Sequence, residues 1–264
     1  MNKKTEKYSR YVQHIREGLE CLANEQDKRN NGVKYPETTA ELKSQGEIFR
    51  EIGNLLLKSE NRAFEIDENN RQIIALLIAY LNGWNDTFNR QTKALTGSNG
   101  DIYAPIFLMG ERGVGKTLLM QIASRFADIM RLKRTFINTS ASELQNYMRV
   151  NGNLDFYTYN AGRIALKENS LANRGKPHGV CLHDLGIEVD PTSKGKIYGT
   201  DTGAVVNDFL MARYELYQNH GLMYHITTNL SIHEFANQYP PRVVDRFKQF
   251  NHIALNGASR RGVK

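Results

Sequence analysis

The sequence predicts an α/β domain, a parallel sheet wrapped by helices on both faces, with a helical extension ahead of it. Three observations carry this. From about residue 64 onward, short apolar runs alternate with amphipathic stretches, the pattern of strand–helix–strand units. One run, Ile106-Phe107-Leu108-Met109, leads straight into Gly110-Glu111-Arg112-Gly113-Val114-Gly115-Lys116-Thr117 and then into helical periodicity from Leu118. Another, Val180-Cys181-Leu182, ends in His183-Asp184.

Taken in order, residues 5–30 place Tyr8, Tyr11, Val12, Ile15, Leu19 and Leu22 at helical spacing. Asn30-Asn31-Gly32 and Pro36 break that helix. Thr38 and Glu41 then form a capping pair for a second helix over 39–59. Neither helix carries chemistry. Their apolar stripes fit either packing on the domain that follows or docking to another protein, and the expected division is 1–63 as the candidate partner-docking region and 64–264 as the functional domain. A third helix is expected over 69–94, with Trp84 in the core. Strand 135–138 follows the basic turn Arg131-Leu132-Lys133-Arg134, and Ser140 with Glu143 caps a helix over 141–150. A further helix is expected over 154–171, then the basic loop 173–178. Residues 189–203 form a long loop with Lys194 and Lys196. Helix 204–218, strand 222–226, a helix capped by Ser231 and Glu234, a helix opened by Pro240-Pro241, and strand 252–256 complete the chain. The tail is basic.

The turn at 110–117 has the G-x-x-x-x-G-K-T spacing of a phosphate-binding loop. Glycines tolerate positive φ and let backbone wrap closely around an anion. The amides of that wrap, with those of the new helix, point at the phosphate. Gly110, Gly113, Gly115, Lys116, Thr117 and Leu118 are the expected phosphate-binding set. Lys116 would act as a point charge on the β/γ-phosphates, and the Thr117 hydroxyl would hold Mg²⁺. A strand ending in Asp184 after such a loop is the place for a carboxylate that serves the metal or the attacking water. Thr117 and Asp184 are thus the expected Mg²⁺ ligands. The polar end of strand 222–226, Thr227-Thr228-Asn229, could hydrogen-bond the γ-phosphate.

Composition excludes several classes. The longest apolar run, Ile73 to Leu81, is too short to span a bilayer. The start, Met1-Asn2-Lys3-Lys4, leads into a charged helix rather than an apolar signal core. Cys21 and Cys181 are too few for a disulfide framework or a cysteine zinc site. The expectation is a cytoplasmic protein without a membrane partner. Net charge is +7 and unevenly placed: residues 1–68 carry 12 Lys/Arg against 13 Asp/Glu, and the rest 23 against 15. A basic domain points to a polyanion beyond the nucleotide. By charge clustering, Lys133, Arg134, Arg174, Lys176, Lys194 and Lys196 are candidates to track a phosphate backbone.

Residues 64–264 resemble the AAA+ helicase loaders of the DnaC/DnaI kind, with the transposition ATPase IstB in the same clan. The resemblance rests on 110–117, His183-Asp184-Leu185-Gly186-Ile187-Glu188, Arg213-Tyr214-Glu215-Leu216, Ile226-Thr227-Thr228-Asn229-Leu230-Ser231 and Arg242-Val243-Val244-Asp245-Arg246-Phe247. It implies ATP as ligand with Mg²⁺, Asp184 and Asn229 as catalytic groups, and Asn229 as the sensor of the γ-phosphate. It implies Arg246 as an arginine finger reaching the ATP of a neighbouring subunit, hence a homo-oligomer with ATP sites between subunits. The implied partners are a replicative helicase, or a transposase on the IstB-like alternative, and single-stranded DNA. Arg261 falls near a late arginine of some relatives. Relatives carry two adjacent acids before Leu/Ile-Gly, and here His183 takes the first place. That departure implies slow hydrolysis, and keeps open a nucleotide-gated scaffold. Two further readings stay open: a small-molecule P-loop kinase, and a plain surface ion pair of Arg242 or Arg246 with Asp245.

Overall fold

A single five-stranded sheet organises the computed structural model, which describes residues 33–158, 178–186 and 202–260. Its strands are β1 (Ile106–Met109), β2 (Phe136–Ser140), β3 (Gly179–Leu185), β4 (Tyr224–Thr228) and β5 (Asn251–Ala254). They stand in the order β2-β3-β4-β1-β5, and every pairing is parallel. Parallel strands need crossovers that cover both faces, so they read as continuous apolar runs. Phe107, Leu108, Val180, Cys181, Leu182 and Ile226 are all essentially inaccessible. The expected α/β class is therefore present.

Alternate residues of β1 feed two apolar layers. Ile106 and Leu108 join one cluster with α1 (Thr39–Leu57), α2 (Arg71–Asn82), α3 (Asn85–Thr96) and α4 (Lys116–Ile129). Phe107 joins the other, with α5 (Ala141–Asn151), α7 (Thr202–His220), α8 (Ile232–Gln238) and α9 (Pro241–Phe247). The short α6 (Asp155–Thr158) precedes β3. It is the described part of the helix expected over 154–171; the rest of that helix, like the one expected over 5–30 and the loop 189–203, lies outside the described residues.

Two elements differ from expectation. The helix expected over 69–94 is two helices. Gly83 takes φ 76, the Trp84 amide reaches back to Ala79 O at 2.9 Å, and α2 ends there. Trp84 is then buried as expected, its Nε1 donating to Tyr35 O at 2.9 Å. The second difference concerns α1. Phe49 is fully buried, its ring centroid 5.8 Å from that of Phe126 on α4 and 6.3 Å from that of Phe64. A Cβ at Gly53 would stand 2.4 Å from the Phe64 ring, so only glycine lets the two approach. The chain divides into compact units at 34/35, and α1 belongs to the unit that holds the sheet, not with residues 1–34.

The caps follow local sequence. Ser140 with Glu143 and Ser231 with Glu234 form complete capping boxes. Thr38 forms half of one: its hydroxyl accepts from the Glu41 amide at 3.1 Å, while the Glu41 carboxylate accepts from Gln45 instead.

Candidate nucleotide site

A cleft of about 1030 Å³ opens at the C-terminal ends of β1, β3 and β4, the edge where open parallel sheets bind ligands. The loop after β1 forms its floor. Gly110, Gly113 and Gly115 take φ 153, 87 and 104, which other residues rarely adopt. A Cβ at Gly110 would fall 2.2 Å from Leu255 O, so the loop also lies close against the end of β5. Lys116 opens α4 and is buried. Its Nζ donates to Gly110 O, Glu111 O and Asn229 Oδ1, each at 2.8 Å. The loop is thus wound round an ammonium group that already holds three oxygens, and phosphate oxygens are the natural replacements. The first turn of α4 adds backbone N–H groups at the cleft. Thr117 and Leu118 line it, as do Asp184 and Asn229.

The fit to a magnesium nucleotide follows from the donor set. Mg²⁺ takes one or two protein oxygens and completes its shell with water and phosphate. Thr117 and Asp184 offer a hydroxyl and a carboxylate in the same cleft. Among the described residues no group of three or more His, Cys, Asp or Glu side chains gathers to hold a metal by itself.

His183 is at the end of β3 but does not line the cleft. It is buried, with Nε2 2.9 Å from Asn138 Oδ1 and Nδ1 3.3 Å from Thr227 Oγ1. Burial pushes its pKa down to about 4, against the opposing pull of Asp184 and Glu143. At neutral pH the imidazole carries no charge. Asp184, in the left-handed region at φ 55, turns toward the cleft where His183 does not.

Sequence reasoning missed the opposite wall. The link 60–70 and the segment 258–260 close over the loop. The Arg260 amide donates to Gly113 O at 2.9 Å, its guanidinium pairs with Asp67 at 2.7 Å, and Arg62 donates to Arg260 O at 2.7 Å. Arg260 lines the cleft; Arg261 lies outside the described residues. No motif marks these residues, because the pairs join positions almost two hundred apart.

Arg246 is not in the cleft. It sits on α9 with its guanidinium 4.3 Å from the Tyr214 ring centroid, donating to Met211 Sδ. The ion pair considered for it goes elsewhere: Asp245 pairs with Lys248 at 2.8 Å. Arg213 is fully buried and donates to Tyr157 O, His178 O and Met223 O, tying α7 to β3 and β4. Among the DNA-contact candidates, Arg134 is a structural tie. It donates to Tyr80 O at 2.8 Å and Ile102 O at 2.6 Å and lies over the Tyr80 ring. Lys133 is half-buried. Arg174, Lys176, Lys194 and Lys196 lie outside the described residues. Among the described residues no helix is long and apolar enough to cross a membrane.

A glycine-rich phosphate loop after β1, a strand order of β2-β3-β4-β1-β5, and polar groups at the ends of β3 and β4 define an AAA+-like α/β fold. No family model and no curated protein matches the chain. Among solved structures it is similar to DnaI at 17% identity, covering 80% of this chain and 93% of that one, with a TM-score of 0.48. It is similar to the DnaC helicase loader at 14% identity, covering 73% and 93%, with a TM-score of 0.45. It is similar to AMPPCP-bound DnaA from Aquifex aeolicus at 17% identity, with a TM-score of 0.45, covering 73% of this chain but 48% of that one. The chain therefore spans about half the length of that DnaA.

Proposed function

We propose that this chain is an ATPase of the helicase-loader kind, which assembles with itself on DNA and hydrolyses ATP slowly at sites shared between neighbouring subunits. One observation carries the reading: Lys116, Thr117, Asp184 and Asn229 converge on one cleft, whereas Arg246 stands outside it on α9. Lys116 would hold the β/γ-phosphates, and Asn229, already 2.8 Å from Lys116 Nζ, would contact the γ-phosphate or the attacking water. Thr117 and Asp184 would hold Mg²⁺, which neutralises charge on the phosphoryl oxygens. Arg246 would serve a neighbour's cleft, which implies head-to-tail assembly. The neutral His183 leaves one carboxylate where relatives carry two acids, which suits slow turnover and a switch held by ATP. Residues 1–34, outside the sheet-bearing unit, are the proposed docking region for a helicase.

The test mixes two inactive proteins. K116A lacks the phosphate lysine and R246A lacks the finger. In a one-to-one mixture of a head-to-tail assembly, about a quarter of the interfaces pair an intact Lys116 with an intact Arg246. Turnover should therefore recover to roughly a quarter of wild type. A mixture no more active than its components would rule out shared sites.

A further inference from the structure

The ends of β3 and β4 are joined by side chains that do not line the cleft. Thr227 is wholly buried, with Oγ1 3.2 Å from the Asp184 amide nitrogen and 3.3 Å from His183 Nδ1. His183 Nε2 in turn lies 2.9 Å from Asn138 Oδ1, on the edge strand β2. With the Asn138 amide presenting its oxygen to the ring, the direction of each bond follows from valence. Asn138 Oδ1 only accepts, so Nε2 of the neutral ring carries the proton. Nδ1 then has a lone pair and accepts from the Thr227 hydroxyl. The hydroxyl oxygen is left to accept from the Asp184 N–H. The chain runs one way: Asp184 N–H to Thr227 O–H to His183, and His183 Nε2–H to Asn138.

This chain acts where the sheet stops being regular. The β3–β4 register shifts between Leu182 and Leu185, and Asp184 leaves the extended conformation at φ 55. The Thr227 hydroxyl occupies the Asp184 amide there. Thr228 does the neighbouring job: its hydroxyl donates to Leu185 O at 2.6 Å and accepts from the Leu230 amide at 3.0 Å, on the far side of Asn229.

We propose that Thr227 is a positioning residue: its hydroxyl, oriented by His183 and Asn138, fixes the backbone turn that presents the Asp184 carboxylate to the cleft. The proposal rests on the ATPase reading of that cleft. Losing an outer-shell partner of a metal-holding carboxylate typically costs about 10–100-fold in metal affinity or activity.

The experiment titrates a fluorescent ATP analogue, mant-ATP, into the full chain with Mg²⁺ and with EDTA. Wild type, T227V, T227S and D184N are compared. T227V should keep its Mg²⁺-free affinity within about twofold of wild type and lose the Mg²⁺-dependent tightening about as fully as D184N, roughly tenfold. T227S, which keeps the hydroxyl, should restore it. A T227V protein with the full Mg²⁺ gain overturns the proposal while leaving the ATPase reading intact. A wild type that binds no mant-ATP overturns both, and so does one that binds it with no Mg²⁺ gain at all, since Asp184 then holds no metal. A second measurement needs no variant and therefore no folded mutant. The ¹⁵N shifts of His183 in wild type should report the Nε2–H tautomer; the Nδ1–H tautomer overturns the relay, because the ring would then claim the hydroxyl oxygen from Asp184.

Discussion

Removing residues 1–34 should leave the sheet-bearing unit folded, and removing residues 1–63 should unfold or gravely weaken it. The longer deletion takes away α1. Phe49, Ile52 and Leu57 are each at most 5% exposed there. At about 1.5–3 kcal/mol per fully buried side chain of this size, their loss amounts to about 5–9 kcal/mol. That figure is an upper one, because the unfolded chain already buries some of this surface. Phe64 and Phe126, whose rings pack at a tilt against Phe49, would also lose a partner. A domain's whole stability is about 5–15 kcal/mol. For a chain of this size each kcal/mol moves the melting temperature by about 2–4 °C. The longer deletion should therefore melt at least about 10 °C lower, or not fold, and should fail to bind mant-ATP. Thermal melts by circular dichroism of the two truncations decide it. If both melt within a few degrees of each other, α1 is an appendage and the division belongs at 63/64 after all. The outcome also fixes how docking is tested: loss of helicase binding by the shorter deletion is informative, whereas a fragment 1–63 would present α1 stripped of its core.

Two further outcomes follow. H183D puts a carboxylate in place of the neutral ring, next to Asp184. Mg²⁺-dependent turnover in a coupled ATPase assay should rise, and an unchanged rate in a folded protein would clear His183 as the brake. R134A removes two hydrogen bonds from a charged donor and a ring contact, so it should cost about 3 kcal/mol or more in a urea titration. The salt dependence of single-stranded DNA binding should stay as it was; a shallower salt slope at unchanged stability would return Arg134 to the phosphate contacts.

What could be read from the sequence is what local chemistry decides. The loop at 110–117 needs its glycines where backbone takes positive φ, and Ser140 and Ser231 cap helices three residues ahead of their glutamates. Those rules act over a few residues, so the pattern carries them. Gly83 was legible in principle: Asn82-Gly83 before a tryptophan is a helix-end signature, outweighed by apolar spacing that runs on through α3. The wall made by Arg62, Asp67 and Arg260 was not legible, since its contacts join residues 198 and 193 positions apart and follow no period. Arg134 shows why charge clustering misleads. It sits in a run of cations, yet its partners are carbonyls 54 and 32 residues earlier. Equally, an apolar stripe such as that of α1 says only that a face will be covered, and Phe126, the ring that covers it, is far along the chain.

The same site explains why binding and hydrolysis should be separable on the proposed reading. Binding would rest on Lys116 and the loop amides, which belong to one chain. Hydrolysis needs more stabilisation of charge in the transition state than in the bound substrate. Here the end of β3 offers the cleft one carboxylate, Asp184, with an uncharged His183 beside it. On that proposal a subunit would hold ATP when alone and turn it over when assembled, so that occupancy would report the nucleotide and hydrolysis the assembly. Asn229 would connect the two, because it bonds Lys116 directly and is flanked by Thr228, which ties the ends of β3 and β4 together.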